Sequence, residues 1–404
     1  MSAPPVIVLG VRRSGTTLLR VILDRSSELA IPDESYIVPQ LARRHPGPVD
    51  PAAFAEELRR QPRIAELGIS VDEVARRLRP GMMSGEAIGA IFETYAAARG
   101  KSRWGDKTPL YMQHLPLLER LFPEAQFVHL VRDGRDAAVS FLAMPEGIVT
   151  RTWAHPRDAA GFACQWRAEI EAAQALGRRL GPERYLEARY ERLAAEPEAT
   201  AREICAFLSL SFDPTMMEYA GTVDLTGKPH QTRLTQPPTA GVRDWRTEMP
   251  PADAAAFEEV AGDLLARLGY EVRRDPSSAP TLRGRSRLAS YRLRLGAFNA
   301  AAASRQRVFT MRLIGRSGMF VAVFLLLPLN LVLAVNALAT SAGLEGYHLM
   351  VVGYLIATVV LPGVATWRRL RRRPKVGGAL LHAATVLFVV NLLAFPYLIL
   401  TAAM

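Results

Sequence analysis

The sequence predicts an α/β fold, a P-loop-like parallel sheet flanked by helices, followed by an all-α membrane region of three transmembrane helices. Short apolar runs that indicate buried strands alternate with longer helical patterns, which is typical of a mainly parallel sheet. At two places a predicted strand leads through a glycine-containing turn into a helix. Near the C terminus, three segments lack any formally charged residue, and each is long enough to cross a hydrocarbon core of ~30 Å.

The first strand–turn–helix opens the chain. Val6–Leu9 predict a short buried strand that Gly10 ends, and Thr16–Asp24 carry a helical pattern. Gly10 and Gly15 have the spacing of a Walker A loop, but threonine stands where the lysine of that motif follows the second glycine. A nucleoside triphosphatase needs that lysine on its β- and γ-phosphates, so we expect a different phosphate donor. Its anion would lie against the backbone N–H groups at the start of the helix.

Two arginines, Arg12 and Arg13, supply cationic charge to this loop in place of the lysine. The alternative is an ordinary strand–turn–helix with two solvated arginines. Beyond the first helix, Pro32 places Asp33 and Glu34 on a loop near the expected anion. An acidic residue beside an anion site is electrostatically unfavourable unless it has a function. The alternative for this loop is that Asp33 caps the next helix.

The rest of the domain is predicted as helices with two further strands. Helical patterns cover residues 36–43, 52–60, 71–78, 85–99, 111–121, 159–179, 198–208 and 252–268, and residues 126–131 and 185–191 indicate strands. The strand at 126–131 leads directly into Arg132 and a helix that contains Ser140. In a doubly wound sheet, ligands lie at the carboxyl ends of the strands, so both turns can face one nucleotide. A rival interpretation makes Asp133 a Walker B ligand of Mg²⁺, and the neighbouring Arg132 disfavours it.

Charge separates the two ends of the chain. The net charge is +11, but 15 Lys or Arg and one acidic residue follow Asp275, so residues 276–404 carry +14 and the first 275 carry −3. The basicity therefore does not indicate nucleic-acid binding by the N-terminal part. Cys164 and Cys205 both lie in helical patterns, which indicates buried thiols in a reducing compartment rather than a disulfide framework. We expect no signal peptide ahead of the first strand.

Residues 5–274 resemble the sulfotransferases that use 3′-phosphoadenosine-5′-phosphosulfate (PAPS), and most of all the tyrosylprotein sulfotransferases and related bacterial enzymes. Residues 10–18, Gly-Val-Arg-Arg-Ser-Gly-Thr-Thr-Leu, are similar to their 5′-phosphosulfate loop. Residues 127–135, Phe-Val-His-Leu-Val-Arg-Asp-Gly-Arg, together with Ser140, are similar to their 3′-phosphate motif. Further blocks follow in the order of that family, around Lys107, Tyr190 and Tyr270.

The resemblance implies a role for each motif. The residues expected to bind PAPS are Arg12, Arg13, Ser14, Gly15, Thr16 and Thr17 at the 5′-phosphosulfate, Arg132 and Ser140 at the 3′-phosphate, and Tyr190 near the adenine. Glu34 falls where the tyrosylprotein enzymes have their glutamate base, and Lys107 and Arg13 would stabilise charge on the departing oxygen. Many cytosolic sulfotransferases have a histidine just after the lysine, but Thr108 follows here, which favours Glu34 as the base. We see no metal-ligand spacing and expect no metal.

The chain departs from the tyrosylprotein enzymes at Tyr36 and Gln40, where those enzymes carry arginines that bind acidic peptides. A tyrosine peptide is therefore disfavoured as the acceptor, and we expect a hydroxyl on a lipid or glycolipid headgroup. Two other functions stay open at this point. One is a P-loop kinase or nucleoside triphosphatase, and the other is a membrane scaffold that binds nucleotide without catalysis.

The uncharged segments cover residues 319–339, 348–367 and 376–403. Arginines before the first of them and a basic loop at 368–375 place the catalytic domain on the cytoplasmic side of the inner membrane by the positive-inside rule. The predicted parts are a sulfotransferase domain (1–275), a basic juxtamembrane linker (276–317) and a three-helix anchor (318–404). The linker would lie on anionic lipid headgroups, or it would be a disordered basic segment.

Overall fold

The computed structural model describes residues 3–144, 155–219, 244–273 and 281–296. All of them belong to the first of the two units, Met1–Phe298 and Asn299–Met404, into which the chain divides. The three predicted membrane segments lie outside the described residues. Within the described ranges, no helix combines the length and the apolar character that crossing a membrane requires.

A five-stranded parallel sheet forms the centre of the described domain. Its strands are β1 (Val6–Leu9), β2 (Leu29–Ala30), β3 (Arg103–Lys107), β4 (Gln126–Val131) and β5 (Tyr185–Arg189), in the spatial order β2-β3-β1-β4-β5. In this register Val8 lies opposite both Lys107 and Val128. From β1 the chain passes to the edge strand β2 and returns to β3 beside β1, and it then crosses to β4 and β5 on the other side of β1. The loops after β1, β3 and β4 therefore meet at one edge, where ligands of open α/β sheets bind.

Helices cover both faces of the sheet. They are α1 (Thr16–Asp24), α2 (Val38–Arg44), α3 (Pro51–Arg59), α4 (Pro62–Glu66), α5 (Val71–Arg77), α6 (Ser84–Ala97), α7 (Leu115–Leu121), α8 (Gly134–Leu142), α9 (Ala159–Leu180), α10 (Tyr190–Ala195), α11 (Pro197–Leu208), α12 (Trp245–Glu248) and α13 (Pro251–Arg267). Two 3₁₀ helices cover Pro109–Gln113 and Pro214–Met217, and residues 282–296 form a further helix, α14. Side chains begin several helices: Ser70 caps α5, and Asp158 caps α9.

Side chains of β1 alternate between two buried cores. Ile7 and Leu9 pack into the core formed with α6, α9 and α13, whereas Val6 and Val8 pack into the core formed with α1 and α11. An apolar run on both faces is expected for a central parallel strand. Cys164 and Cys205 are free and buried, as the sequence predicts.

The structure adds two strands that the sequence analysis does not predict. β2 has two residues, and β3 has the polar sequence Arg-Trp-Gly-Asp-Lys, although all five residues are buried. The predicted helix 111–121 is wrong as one element, because a 3₁₀ helix ends before His114 and α7 begins anew with Pro116 in its first turn. The predicted strand 185–191 ends at Arg189. Asp33 does not cap α2, whose N-cap residue is Ile37.

The helix α14 lies within the segment predicted as a basic linker. Leu288 and Tyr291 are buried in the core that contains α9 and α13. Gly284 lies so close to α13 that a Cβ there would be 2.1 Å from the backbone oxygen of Glu259. This part of the predicted linker is therefore a helix packed on the domain.

Candidate active site

The loop between β1 and α1 is shaped by two glycines. A Cβ on Gly10 would lie 2.5 Å from the methyl carbon of Thr16 and 2.9 Å from the backbone oxygen of Leu130. Gly15 has a φ of +86°, and a Cβ there would lie 2.3 Å from the ring of Tyr190. Both positions therefore require glycine.

The same loop has the properties of an anion site. Arg13 has a φ of 71°, a left-handed conformation that is uncommon for a residue other than glycine and is often found at functional sites. α1 begins after Gly15 without a capping side chain and without an acidic residue in its first turn. Its first N–H groups lack intrahelical acceptors and favour a negative charge. Ser14 Oγ is buried and has no hydrogen-bond partner among the described residues.

The turn between β4 and α8 lies directly beside this loop. Arg13 Nε donates to Ser140 Oγ over 2.9 Å, and Arg132 Nη1 donates to the backbone oxygen of Arg13 over 3.2 Å. The guanidinium carbon of Arg132 lies 4.4 Å from the centroid of the Tyr190 ring, and this ring also contacts Gly15. The residues of both predicted phosphate motifs and Tyr190 are therefore in mutual contact.

Arg135, in the first turn of α8, has a structural role. It is fully buried and donates to both carboxylate oxygens of Asp133, to Glu258 over 2.8 Å and to the backbone oxygen of Glu271 over 2.6 Å. Its guanidinium carbon lies 3.7 Å from the centroid of the Trp245 ring. Because Arg135 occupies both oxygens of Asp133, this carboxylate is poorly placed to serve as a Walker B ligand. The described ranges also contain no group of three or more side chains that could hold a metal ion.

Glu34 and Lys107 form an ion pair where β3 ends. Lys107 Nζ lies 2.6 Å from Glu34 Oε1 and 3.4 Å from Thr17 Oγ1. The lysine side chain is 1% exposed, so it is not a surface lysine, and the glutamate side chain is 23% exposed. The other carboxylate oxygen of Glu34 accepts a hydrogen bond from the Tyr36 hydroxyl. The fold thus brings the predicted base and the predicted cation together beside α1.

The ion pair determines the protonation state of the carboxylate. Burial alone would raise the pKa of Glu34, but the charge and the hydrogen bond of Lys107 outweigh burial and hold the pKa below its ordinary value. Glu34 is therefore ionised at neutral pH, as a group that accepts a proton must be. Burial and the negative charge of Glu34 raise the pKa of Tyr36, so its hydroxyl stays protonated and donates.

Comparison with known proteins identifies the family. The sequence model that describes the Sulfotransferase family matches residues 4–214 of this chain. The chain belongs to the sulfotransferase family. Protein-tyrosine sulfotransferase 2 of Gallus gallus is 27% identical over 286 residues, which cover 68% of this chain and 71% of that protein. Nodulation protein NoeE of Sinorhizobium fredii (strain NBRC 101917 / NGR234) is 27% identical over 293 residues, 65% of each chain. The solved sulfotransferase domain from the curacin biosynthetic pathway has a TM-score of 0.46 and 20% identity, covering 67% of this chain and 99% of that one.

The chain is thus an enzyme of the sulfotransferase family, for which the sequence motifs predict PAPS as the co-substrate. The residues of the two turns fit an anionic nucleotide of this kind. Ser14 Oγ and Arg132 Nε are both buried hydrogen-bonding atoms without a partner in the described part of the chain. Buried polar atoms are costly unless they are hydrogen-bonded, so these two atoms suit a ligand that brings oxygen acceptors.

Sequence reasoning missed a buried carboxylate of the sulfotransferase beside the ion pair. Asp106 accepts hydrogen bonds from the hydroxyls of Ser35, over 2.6 Å, and Tyr111. Burial raises the pKa of Asp106 to about 6. The position of Asp106 next to Lys107 was the only local sign of a functional role. Its hydrogen-bond partners lie in a distant loop and in the following 3₁₀ helix, so the sequence does not show them.

Glu169 of α9 is a second carboxylate that the sequence analysis missed. It is 4% exposed, and its Oε1 accepts hydrogen bonds from Gln165 over 2.8 Å and from Gln113 over 3.4 Å. Burial raises the pKa of Glu169 to about 7, against the lowering effects of Gln165 and of the positive charge of Arg12. Glu169 therefore lies within electrostatic range of the first loop. The available signal for a functional role was that Glu169 is a glutamate on the apolar, buried side of a long helix.

Proposed function

We propose that this sulfotransferase transfers the sulfuryl group of PAPS to a hydroxyl of a lipid or glycolipid headgroup at the cytoplasmic face of the inner membrane. The observation that carries the proposal is the Glu34–Lys107 pair, in which a carboxylate and an ammonium lie 2.6 Å apart beside the start of α1. Sulfuryl transfer, like phosphoryl transfer, depends mainly on positioning and charge stabilisation. Bound PAPS would supply the sulfuryl group and a nucleotide leaving group.

In this proposal, Glu34 accepts the proton of the acceptor hydroxyl at its carboxylate. A positioned general base typically contributes ~10²–10⁴-fold to the rate. Lys107 and Arg13 stabilise the negative charge that develops on the departing oxygen, together with the first N–H groups of α1. The ammonium of Lys107 has a second effect, because it keeps Glu34 deprotonated and ready to act.

We assign the binding of PAPS to the two turns. The 5′-phosphosulfate would be bound by Arg12, Arg13, Ser14, Gly15, Thr16 and Thr17, the 3′-phosphate by Arg132 and Ser140, and the adenine would lie near Tyr190. The direct hydrogen bond between Arg13 and Ser140 supports this assignment, because it holds the two turns within the span of one nucleotide. Charged donors also suit phosphate oxygens, since charge-assisted hydrogen bonds are about twice as strong as neutral ones.

The surroundings of Glu34 support a neutral acceptor. Tyr36 stands where the tyrosylprotein enzymes carry an arginine, and its hydroxyl is bonded to Glu34. Arg63 lies over the Tyr36 ring, 5.3 Å from the centroid, but its charge is paired with Glu66 at 2.6 Å. An acidic peptide would thus meet the carboxylate of Glu34 without the arginines that balance it in the tyrosylprotein enzymes.

The membrane location is supported by the three uncharged segments and by α14. The exposed side of α14 carries Leu282 and Leu293, which are 79% and 75% exposed, together with the exposed arginines Arg283, Arg285, Arg292 and Arg294. A basic helix with exposed leucines suits a surface of anionic headgroups.

Reporter fusions test the orientation in the membrane. A reporter fused after Met404 should be periplasmic, and a reporter inserted after Asp275 should be cytoplasmic. The opposite pair of signals would refute this orientation.

Labelled PAPS tests the acceptor. The purified full chain would be incubated with PAPS labelled in the sulfuryl group and either a membrane lipid extract or an acidic tyrosine peptide. We expect label in a lipid fraction and little in the peptide, and we expect Glu34→Gln to lower the transfer by ~10²-fold or more. Faster labelling of the peptide than of any lipid fraction would refute the lipid acceptor.

A further inference from the structure

The loop that carries Glu34 contacts the carboxyl end of β3. Glu34 is paired with Lys107 at 2.6 Å, and the next loop residue, Ser35, donates its hydroxyl to Asp106 Oδ2 over 2.6 Å. The backbone N–H of Ser35 also donates to Thr108 Oγ1 over 3.2 Å. Three consecutive residues at the end of β3 therefore hold two consecutive residues of the loop.

These contacts lie on opposite faces of the sheet. Asp106 is opposite Ile7, which packs into the core formed with α6, α9 and α13, and Lys107 is opposite Val8, which packs into the core formed with α1 and α11. Consecutive side chains of a strand point to opposite faces. The loop is thus bound from both sides, and a shift of Glu34 toward either face would break one of these bonds.

Asp106 anchors the loop to the rigid interior. Its Oδ2 accepts hydrogen bonds from Ser35 and from Tyr111, whose hydroxyl oxygens lie 3.3 Å apart. An ionised carboxylate only accepts hydrogen bonds, so it can serve two hydroxyl donors at once. Hydrogen bonds to an ionised acceptor are also about twice as strong as neutral ones. Tyr111 is fully buried, so the loop is tied to a residue that cannot move freely.

The loop needs such an anchor because its backbone is strained. Tyr36, which follows Ser35, has a φ of 56°. A tyrosine in this sparsely populated conformation persists only where the surrounding contacts fix it. The hydroxyl of the same Tyr36 donates to Glu34, so the strained residue is itself one of the groups that hold the carboxylate.

We infer that Asp106, acting through Ser35, is a positioning residue of the sulfotransferase: it fixes the loop so that the carboxylate of Glu34 meets the acceptor hydroxyl. The inference rests on the proposed role of Glu34 as the base. Asp106 bonds the loop and Tyr111 rather than the reacting groups, so its effect on the reaction passes through Glu34.

The test uses Asp106→Asn and the milder Ser35→Ala in the full chain. With labelled PAPS and the lipid extract, Asp106→Asn should lower kcat about 10-fold or more, because a small misplacement of a catalytic group is costly. The Kd for 3′-phosphoadenosine-5′-phosphate should change less than about twofold. Asp263→Asn is the matched control, since it makes the same substitution in an ion pair with Arg167 of α9 and should leave kcat unchanged.

The double variant Glu34→Gln/Asp106→Asn separates positioning from a general structural role. It should be no slower than Glu34→Gln alone, because no base remains to be positioned. A further loss of about 10-fold in the double variant would overturn the inference, since independent effects multiply.

Amide hydrogen exchange gives a readout that needs no acceptor. Exchange at Ser35 and Tyr36 should become faster in Asp106→Asn and Ser35→Ala and stay unchanged in Asp263→Asn. Unchanged exchange in the first two variants would overturn the inference. Full turnover in Glu34→Gln would instead refute the proposed base, and the exchange rates would still decide whether Asp106 holds the loop.

Discussion

Replacing Glu34 by glutamine should destabilise the free sulfotransferase, because the change leaves a buried ammonium without its anionic partner. The Lys107 side chain is 1% exposed, and its other hydrogen bond within the described residues, to Thr17 Oγ1, is 3.4 Å long. Glutamine keeps the shape of Glu34 and can accept a hydrogen bond, but it supplies no negative charge.

The structure limits the size of this effect. Removing one partner of a fully buried ion pair costs about 3–5 kcal/mol. Because the Glu34 side chain is 23% exposed, water can partly replace the lost partner, and we expect about 2–3 kcal/mol. For a domain of this size, that loss corresponds to a decrease in Tm of about 4–12 °C. The pKa of Glu34 lies below its ordinary value of 4.5, so this contribution is present above about pH 4.5 and is lost as the pH falls through the lowered pKa.

Ligand binding should reverse much of the loss. In the proposed site, the 5′-phosphate of 3′-phosphoadenosine-5′-phosphate would lie beside Lys107 and replace the missing negative charge. A ligand at 100 times its Kd stabilises a protein by about 2.7 kcal/mol, and the variant should gain at least as much from this nucleotide as the wild type does. Turnover should still fall ~10²-fold or more, because glutamine cannot accept the proton.

Thermal melting of the full chain with and without the nucleotide measures the stability, and labelled PAPS measures the turnover. Asp263→Asn is again the control, since the Asp263 side chain is 18% exposed and one oxygen lies 3.0 Å from Arg167 Nη2. It should lower the Tm, give the variant no additional gain from the nucleotide, and leave turnover unchanged. Wild-type stability together with wild-type turnover in Glu34→Gln would refute both the ion-pair argument and the base assignment.

Three further predictions concern the ligand and one buried acid. Arg132→Ala should weaken the binding of 3′-phosphoadenosine-5′-phosphate more than Ser140→Ala, because charge-assisted contacts are about twice as strong as neutral ones; equal losses in calorimetric titration would contradict the assigned contact. ATP with Mg²⁺ should raise the Tm less than that nucleotide, because the loop lacks the Walker A lysine, and a larger shift would refute the assigned donor. Burial raises the pKa of Glu169 from 4.5 to about 7, so this residue's contribution to stability should fall by about 3 kcal/mol as the pH rises from about 4.5 to 7. Urea titrations at pH 5 and pH 8 should show that Glu169→Gln loses this pH dependence; an unchanged dependence would contradict the argument.

The two strand–turn–helix units could be predicted because their signals are local. Val6–Leu9 is an apolar run and Gln126–Val131 is a mainly apolar one, and each is followed within a few residues by glycine and arginine. The parallel sheet followed from the alternation of such runs with helical patterns. The predicted fold class is confirmed for the described domain, in which both turns lie at the carboxyl ends of adjacent strands.

β3 could not be predicted in the same way, because distant residues stabilise its polar side chains. Arg103 donates to the backbone oxygens of Pro4 and Leu208, and Asp106 accepts from Ser35. A periodicity argument detects apolar faces, so a buried strand whose polar groups are paired across the fold lacks the expected pattern. For the same reason, only the family resemblance predicted that Glu34 and Lys107 belong to one site. The direct contact between their side chains could not be predicted from the sequence.

The buried cations of this domain differ in how fully they are paired. Arg135 is fully buried and bonded to Asp133, Glu258 and the backbone of Glu271, so its donors are largely used within the protein. Lys107 is buried to nearly the same extent but has one carboxylate and one long hydroxyl contact in the described ranges for three N–H donors. A buried donor without an acceptor is costly, and such a cost persists where a ligand relieves it. The difference therefore assigns Arg135 to the stability of the fold, and it supports the proposed role of Lys107, which is to stabilise the negative charge of the leaving group.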